Sequence, residues 1–213
     1  MAEINTADKT GHLLDYTLLE QLDHGLLVSH LASHLGRRLG CTDEEVQSLA
    51  LAGILHDIGK IRLSRYVENG TSMTVEEIKY VRMHSMFGCA ILKRQGFSEI
   101  IQEMVLYHHE NYDGSGYPKN LQEEEIPLGA RILRVCDVFA ALLSDRPYRK
   151  GFDQQTAVSL MIEEVKNFDM RVFLAFQRMI HEEEIPPVVW LEALPSAEQQ
   201  KLLEELLFPV IEE

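Results

Sequence analysis

Apolar residues near the N-terminus recur with the spacing of one face of a helix. Stepping about 100° per residue from His24, a row of aliphatic side chains falls within about 60° of it: Leu27, Val28, Leu31, Leu35 and Leu39. The pattern predicts a helix from about Tyr16 to Leu39 with His24 on its buried stripe. Glu20 lies one turn earlier on the same stripe. Because an unpaired buried acid or histidine is unfavourable, both side chains need a partner.

Start and stop signals predict a series of further helices. Thr42-Asp43-Glu44-Glu45 and Thr74-Val75-Glu76-Glu77 are capping-box sequences, so they should open one helix that ends at His56 and a short one that ends near Met83. Apolar spacing and terminal Gly, Pro, Ser or Asp residues predict later helices over residues 84–96, 98–108, 127–143, 153–166 and 169–181. No stretch reads convincingly as a strand. The predicted fold class is therefore all-α.

Two internal segments lack a helical pattern. Residues 61–73 are predicted to form a loop, and residues 111–118 contain two glycines and a proline, which exclude a helix. At the ends, residues 1–12 are predicted to be a polar lead-in, and residues 182–213 a linker followed by an amphipathic helix over 196–210. Residues 13–181 are therefore predicted to form a single domain.

Composition and charge narrow the class of protein. The chain has 213 residues, 46% hydrophobic and 25% charged, which are ordinary globular values. It contains no apolar run of the roughly 18 residues that a membrane span needs and no signal-peptide pattern. Its three cysteines are widely spaced, which favours a cytoplasmic protein without a disulfide framework. A formal net charge of −14 argues against DNA or RNA as a general partner.

Histidines and acids are concentrated at predicted helix ends and on inward stripes. Taken alone, a histidine on an apolar face is usually a hydrogen-bonded core residue, and a buried aspartate is usually a cap or half of an ion pair. Together, eight such groups would make the core untenable unless a metal satisfied them: Glu20, His24, His56, Asp57, His84, His108, His109 and Asp137. This number exceeds the needs of one ion, and paired ions suit attack on a phosphate ester.

Three stretches of sequence match a known pattern. They are His56-Asp57-Ile58-Gly59-Lys60, then His84 with Gly88, then His108-His109-Glu110 running through Asp113 to Gly116-Tyr117-Pro118. Asp137-Val138-Phe139 and Asp145-Arg146-Pro147-Tyr148-Arg149 complete it. Over roughly residues 13–180 the chain resembles the HD-GYP domain, a subfamily of the HD-superfamily metal phosphohydrolases. The resemblance implies a helical bundle with a central metal site, and hydrolysis of the bacterial second messenger cyclic di-GMP to linear pGpG, with GMP as a further product left open.

The resemblance also implies roles for individual residues. All eight groups above become metal ligands, with Asp57 bridging two ions. Because Glu20 stands four residues before His24, where some members hold a third ion, two or three divalent ions are implied, most plausibly iron or manganese. A hydroxide shared by two cations would attack phosphorus. Asp57 and Lys60 are the predicted catalytic residues, and Lys60 also contacts the phosphate.

Substrate contacts are assigned to the loop and to a basic turn. Arg146 and Arg149 are predicted to grip the second phosphate, because planar guanidinium suits this group. Asp113 and Tyr117 lie in the candidate substrate loop; for Tyr117, a role in packing the turn is an equally good interpretation. In HD-GYP domains this loop is also credited with contacting diguanylate cyclase (GGDEF) domains. A homodimer formed through the C-terminal helix is an open alternative.

One position departs from the pattern. Many HD-GYP domains have Asp where this chain has Ala140, so a hydrogen bond to the metal ligands is lost, although no ligand is missing. Two further hypotheses stay open: an HD phosphohydrolase that acts on another cyclic dinucleotide, and a signalling module that binds nucleotide or protein without turnover. The complete ligand set argues against the second, because a degenerate module would be expected to have lost part of it.

Overall fold

The computed structural model describes residues 18–62, 75–145 and 149–182. Every regular element within these ranges is helical, which confirms the predicted all-α class. These described ranges contain eight α-helices: α1 (Leu18–Arg38), α2 (Asp43–Leu55), α3 (Val75–Arg82), α4 (His84–Arg94), α5 (Glu99–Tyr107), α6 (Leu128–Leu143), α7 (Gln154–Glu163) and α8 (Met170–Glu182). Short 3₁₀ turns cover Ile58–Arg62, Glu123–Glu125 and Val165–Asn167.

The first helix lies at the centre of the bundle. It packs most extensively on α2 and also contacts α6 and α8. Its predicted apolar stripe is buried, with Val28 and Leu35 fully inaccessible to solvent. Gly53 permits the close approach of α2, since a Cβ there would lie 2.5 Å from the Cα of Ser29. The tight pairing of α1 and α2 brings His24 next to the end of α2.

Helix starts follow the predicted signals. The Thr42 hydroxyl accepts from the Glu45 amide at 3.3 Å, and the Glu45 carboxylate accepts from the Thr42 amide at 2.7 Å, so the capping box is complete. Asp153 caps α7 by accepting from the Thr156 amide at 2.9 Å. Ser98 occupies the N-cap position of α5, although its side chain makes no capping hydrogen bond.

Two predicted boundaries are wrong. A 3₁₀ turn over Ile58–Arg62 continues past residue 61, where loop was expected. α7 ends at Glu163 instead of near Lys166, and a separate 3₁₀ turn follows. Within this turn, the side-chain amide of Asn167 donates to the Glu164 carboxylate at 3.0 Å, and the backbone carbonyl of Asn167 accepts from the Tyr112 amide at 2.9 Å.

Some predictions fall outside the described residues. They concern the lead-in over 1–12, most of the loop over 61–73, the cap at Thr74, Arg146 in the basic turn, and the linker and C-terminal helix after residue 182. Within the described ranges, no helix combines the length and the apolar character needed to cross a membrane.

Candidate metal centre

The predicted ligands come from five helices or their ends. α1 carries His24; α2 ends at His56 and is followed by Asp57; α4 begins with His84. His108 and His109 follow the last residue of α5, and Asp137 lies on the buried face of α6. Helix packing therefore brings together side chains that are up to 113 residues apart in sequence. The eighth predicted ligand, Glu20, belongs to α1, but its side chain is not among those described.

Three histidines form one group of converging nitrogens. Nε2 of His84 lies 3.3 Å from Nε2 of His108 and 3.1 Å from Nε2 of His109. Ligand atoms of all three lie within 4.8 Å of one another. For zinc–nitrogen bonds of about 2.1 Å, two nitrogens on one tetrahedral cation lie roughly 3.4 Å apart. The observed separations are therefore those of ligands that share an ion.

A second group lies on the other side of Asp57. It consists of His24, His56 and Asp57, whose ligand atoms are again within 4.8 Å of one another. Asp137 adjoins it, with Oδ1 at 3.0 Å from Nε2 of His24 and 3.6 Å from Nε2 of His56. Imidazole and carboxylate together suit borderline and harder divalent cations.

Asp57 faces both groups at once. Its Oδ1 is 3.4 Å from Nε2 of His84, and its Oδ2 is 3.4 Å from Nε2 of His56. Each oxygen of the carboxylate is thus directed toward a different set of histidines. This is the arrangement expected of a carboxylate that bridges two cations, the role the sequence predicts for Asp57.

Backbone carbonyls orient three of the histidines, two from the helix that the histidine follows and one, for His84, from the end of the preceding helix α3. The Nδ1 atoms of His56, His84 and His108 lie 2.8, 2.6 and 2.6 Å from the carbonyls of Gly53, Val81 and Val105, three residues earlier. A carbonyl can only accept, so each Nδ1 carries a proton, and in the neutral ring Nε2 presents a lone pair. Backbone contacts of this kind fix the tautomer and the ring orientation of metal-binding histidines.

The electrostatics of the centre favour a cation. Burial alone would raise the pKa of Asp57, yet Lys60 and His56 hold it well below its usual range. Burial lowers the pKa of His56, but Asp57 and Asp137 outweigh burial and raise it to about 10. Burial, with His56 and His84 nearby, lowers the pKa of His108 to about 3. The ionised carboxylates therefore favour positive charge at His56, whether a proton or a metal cation supplies it, whereas the His108 ring is neutral.

Two further observations show that the residues fit a metal. Nε2 of His56 is buried and makes no hydrogen bond to any described residue, since its contacts with Asp57 and Asp137 are too long. Nε2 of His84 and Nε2 of His108 direct lone pairs toward each other at 3.3 Å. Both arrangements are unfavourable without a positive charge between the donor atoms.

The turn after Asp57 positions a lysine beside the centre. Lys60 Nζ lies 2.5 Å from Oδ2 of Asp57, and both residues line a pocket of about 180 Å³ together with His24, His109 and Asp137. Gly59 makes this turn possible, because a Cβ at this position would overlap the backbone of α4 at His84 and Gly88. The ammonium group of Lys60 can therefore reach an anion bound in the pocket.

A buried carboxylate, that of Glu110, holds the loop after His109 in shape through hydrogen bonds. Glu110 is buried, and its carboxylate accepts from the amides of Lys119 at 2.6 Å and Leu121 at 3.2 Å. Tyr117 stacks on His109 with 4.8 Å between the ring centroids. Asp113 accepts from the amide and the hydroxyl of Ser115, so in this structure its carboxylate shapes the turn. As substrate contacts, Tyr117 and Asp113 stay predictions.

Arg149 does not point a free guanidinium into the metal pocket. Its terminal nitrogens donate to the carbonyls of Ala141 at 2.9 Å and Leu142 at 3.1 Å, at the end of α6, and its guanidinium lies over the ring of Phe152. A phosphate contact would require it to leave these carbonyls. Arg146 lies outside the described residues. Ala140, where an aspartate was noted in related sequences, is fully buried in the hydrophobic core.

Sequence reasoning missed three residues near the site. Glu110 is part of the matched motif but was given no role, although its position directly before a loop is a usable signal. Arg82 and Arg134 line a pocket beside His109 and Tyr117. No signal in the sequence marks these two arginines, because they read as ordinary charges on helix surfaces.

Comparison with known proteins identifies the class. The family described as HD domain matches residues 6–172, which is more than half of the chain. The chain therefore belongs to the HD domain family, and the HD-GYP type predicted from its motifs is confirmed. HD-domain phosphohydrolases depend on divalent metals, in agreement with the His/Asp cluster.

Two curated relatives narrow the type further. The chain is 38% identical over 184 residues to the cyclic di-GMP phosphodiesterase PA4108 of Pseudomonas aeruginosa, a match that covers 85% of this chain and 44% of the relative. It is 33% identical over 153 residues to the 3'3'-cGAMP-specific phosphodiesterase 1 of Vibrio cholerae, covering 70% of this chain and 36% of the relative. The chain thus spans less than half the length of these relatives.

A solved structure shares the fold. Bd1817, described as an HDG"Y"P protein from Bdellovibrio bacteriovorus, superimposes with a TM-score of 0.62 at 22% sequence identity, covering 79% of this chain and 55% of that chain. This likeness supports the HD-type helical fold that the helix order and packing already indicate.

Proposed function

We propose that this protein is a metal-dependent phosphodiesterase that hydrolyses cyclic di-GMP to linear pGpG. The observation that carries the proposal is the position of Asp57 between two histidine groups, with one carboxylate oxygen directed to each. Two divalent cations about 3.5–4 Å apart lower the pKa of a water and neutralise charge on a phosphoryl group. The relatives named for cyclic dinucleotide hydrolysis support the choice of substrate.

Residues of this chain would divide the work between holding cations and positioning the substrate. His84, His108 and His109 would hold one ion, and His24, His56 and Asp137 the other. Asp57 would contact both ions. The Lys60 ammonium, at the edge of the same pocket, would bind a non-bridging phosphate oxygen as negative charge increases there.

Turnover of cyclic di-GMP tests the proposal. The protein would be purified without oxygen, loaded with Fe(II) or Mn(II), and incubated with cyclic di-GMP while the products are separated by chromatography. We expect linear pGpG as the product, and no product after chelation of the metal. The same chromatogram shows whether pGpG is hydrolysed further to GMP. A lack of linear product under every metal condition would exclude the proposed activity.

The number and identity of the ions form a separate proposal. We infer iron or manganese, with a third ion if the Glu20 carboxylate reaches the centre. Metal analysis of the purified protein gives the elements and their ratio to protein. Glu20→Ala should lower that ratio by one ion if the site is trinuclear, and Thr42→Ala, which changes a cap remote from the ligands, serves as the control. An unchanged ratio in Glu20→Ala would remove this residue from the site.

A second candidate substrate is another cyclic dinucleotide. The specific observation in its favour is the similarity to a relative named for 3'3'-cGAMP. Parallel measurements of kcat/KM for cyclic di-GMP, 3'3'-cGAMP and cyclic di-AMP would rank the substrates. A higher kcat/KM for 3'3'-cGAMP than for cyclic di-GMP would replace the leading proposal with this one.

We also propose protein partners for the substrate loop and the chain as a whole. A GGDEF domain would contact the loop around Asp113 and Ser115, whose side chains are described and exposed. Co-elution of the purified protein with a GGDEF domain, compared with an Asp113→Ala variant, tests this contact. Light scattering tests the homodimer, and a monomeric mass at all concentrations would exclude it.

A further inference from the structure

A second pocket lies beside the metal centre and is lined by two arginines. It has a volume of about 400 Å³, and Arg82 and Arg134 line it together with Tyr117, Asn111 and His109. His109 also lines the metal pocket, so the two pockets share a wall. The arginine pocket therefore lies next to the metal pocket, on the other side of His109.

The two guanidinium groups come from different helices and surround Tyr117. Arg134, on α6, donates from Nε to Oδ1 of Asn111 at 3.0 Å, which fixes the direction of its side chain. The guanidinium of Arg82, at the end of α3, lies 5.2 Å from the ring centroid of Tyr117. Tyr117 in turn stacks on His109. Arg82 thus lies beside a ring that stacks on a predicted metal ligand, and Arg134 lines the same pocket.

The charge of this pocket is opposite to that of the protein. The chain has 34 acidic and 20 basic residues, yet no carboxylate is among the described residues that line the pocket. Two other arginines pair with acids: Arg131 with Asp169 at 2.5 Å, and Arg38 with Glu182 at 2.6 Å. Neither Arg82 nor Arg134 forms an ion pair with an acid among the described residues, and two such guanidinium groups make this pocket suitable for an anion.

We propose that the arginine pocket binds the second phosphodiester group of the cyclic dinucleotide, through Arg82 and Arg134, while the scissile group is at the metal centre. This inference rests on the proposed function. A guanidinium group binds a phosphate through two parallel hydrogen bonds, in which the donor is positively charged and the acceptor negatively charged. The same pocket would position the substrate ring against Tyr117. Arg149, predicted from the sequence for this task, is instead engaged with carbonyls at the end of α6.

A phosphate ligand and a guanine ligand make different demands on this pocket. A single arginine can read the O6 and N7 atoms of guanine, so base recognition would make the arginines sensitive to which base is present. The phosphodiester is the same in every cyclic dinucleotide. The proposed role therefore predicts equal losses for cyclic di-GMP and 3'3'-cGAMP when an arginine is removed.

The test compares steady-state kinetics of the metal-loaded protein and its Arg82→Gln and Arg134→Gln variants. Loss of one charged hydrogen-bonding partner should raise KM for cyclic di-GMP roughly tenfold to a hundredfold and change kcat less than about threefold. Arg82 is exposed, so its replacement should leave the fold intact. Arg178→Gln, an equal loss of charge at an exposed position on α8, is the matched control and should change KM less than about twofold.

A substrate with a single phosphodiester separates recognition from chemistry. In Arg82→Gln, the KM for bis(p-nitrophenyl) phosphate should rise much less than the KM for cyclic di-GMP, because this compound has no second phosphate. An unchanged KM for cyclic di-GMP in Arg82→Gln, or a loss confined to one of the two cyclic dinucleotides, would overturn the inference alone. Failure of the wild type to hydrolyse any cyclic dinucleotide, while bis(p-nitrophenyl) phosphate is still cleaved, would overturn the proposed function with it.

Discussion

The metal centre and the loop after His109 are neighbours, but different kinds of contact hold them in place. In the centre, His56, His84 and His108 are oriented by carbonyls three residues earlier. In the loop, Glu110 reaches amides nine and eleven residues away, and the Tyr112 amide reaches the carbonyl of Asn167. The orientation of His56 and His108 needs only the helix that precedes each of them, and that of His84 needs the junction of α3 and α4. The loop also depends on Asn167, which lies in a distant segment of the chain.

This difference separates the chemistry from the recognition of the substrate. The histidine orientations depend on local backbone geometry, so changes elsewhere should disturb them little. The shape of the loop depends on contacts between distant segments, so single changes there should alter substrate affinity before they alter metal binding. The following predictions test this separation, from the largest expected effect to the smallest.

The largest effect is expected at the shared carboxylate. Asp57→Asn removes the charge that faces both histidine groups, so we expect kcat to fall by at least about a hundredfold and the metal content to drop. Product formation and metal analysis on the same sample measure this. His30→Gln, a histidine change on α1 outside the cluster, should leave both values unchanged. Full activity in Asp57→Asn would show that Asp57 does not bridge the ions.

Removal of the metal should lower the stability of the folded protein. A ligand present at a hundred times its dissociation constant stabilises the native state by about 2.7 kcal/mol. We therefore expect the chelated protein to melt at a lower temperature than the metal-loaded protein, with recovery when the cation is returned. Identical melting curves would mean that the cluster binds no cation under these conditions.

Breaking the support of the loop should affect recognition first. Glu110→Ala leaves the amides of Lys119 and Leu121 without their acceptor, which costs about 1–3 kcal/mol for a buried group. We expect a lower melting temperature and a higher KM for cyclic di-GMP, with the metal content retained. Glu124→Ala, an exposed acid in the same region, is the control. Loss of metal from Glu110→Ala would contradict the separation of the two regions.

The smallest effect is expected at the hydroxyl of Tyr117. The ring stacks on His109, and Tyr117→Phe keeps this contact, so kcat/KM should change less than about threefold. Tyr117→Ala removes the ring and should lower kcat/KM further. If Tyr117→Phe alone reduced kcat/KM as much as Tyr117→Ala, the hydroxyl and not the ring would be the important group.

Helical periodicity predicted which side chains point inward. Counting from His24 along its stripe, and finding Asp137 flanked by apolar residues, was enough to expect both in the centre, and the structure brings them within 3.0 Å. Capping boxes gave the start of α2 correctly. These features depend on residues within one or two turns, which is why the sequence reveals them. That the clustered residues bind metal stays a prediction.

Helical periodicity could not predict which side chains surround the metal centre. Arg149 looked like a phosphate ligand because it is basic and close to the motif, but its contacts depend on how the chain folds back onto α6. Arg82 and Arg134 lie on different helices, so their approach to Tyr117 depends on the packing of α3, α6 and the loop. Periodicity assigns a residue to a face of its helix, but it does not identify the neighbour across that face.

The contact between Arg149 and α6 affects the electric field at the mouth of the metal pocket. The carbonyl end of a helix bears roughly half an elementary negative charge. On α6 this end includes Ala141, which also lines the pocket, so unscreened carbonyls there would repel an incoming phosphate. The guanidinium of Arg149 donates to the Ala141 and Leu142 carbonyls and offsets that charge. Arg149 can thus favour entry of an anionic substrate without ever touching it.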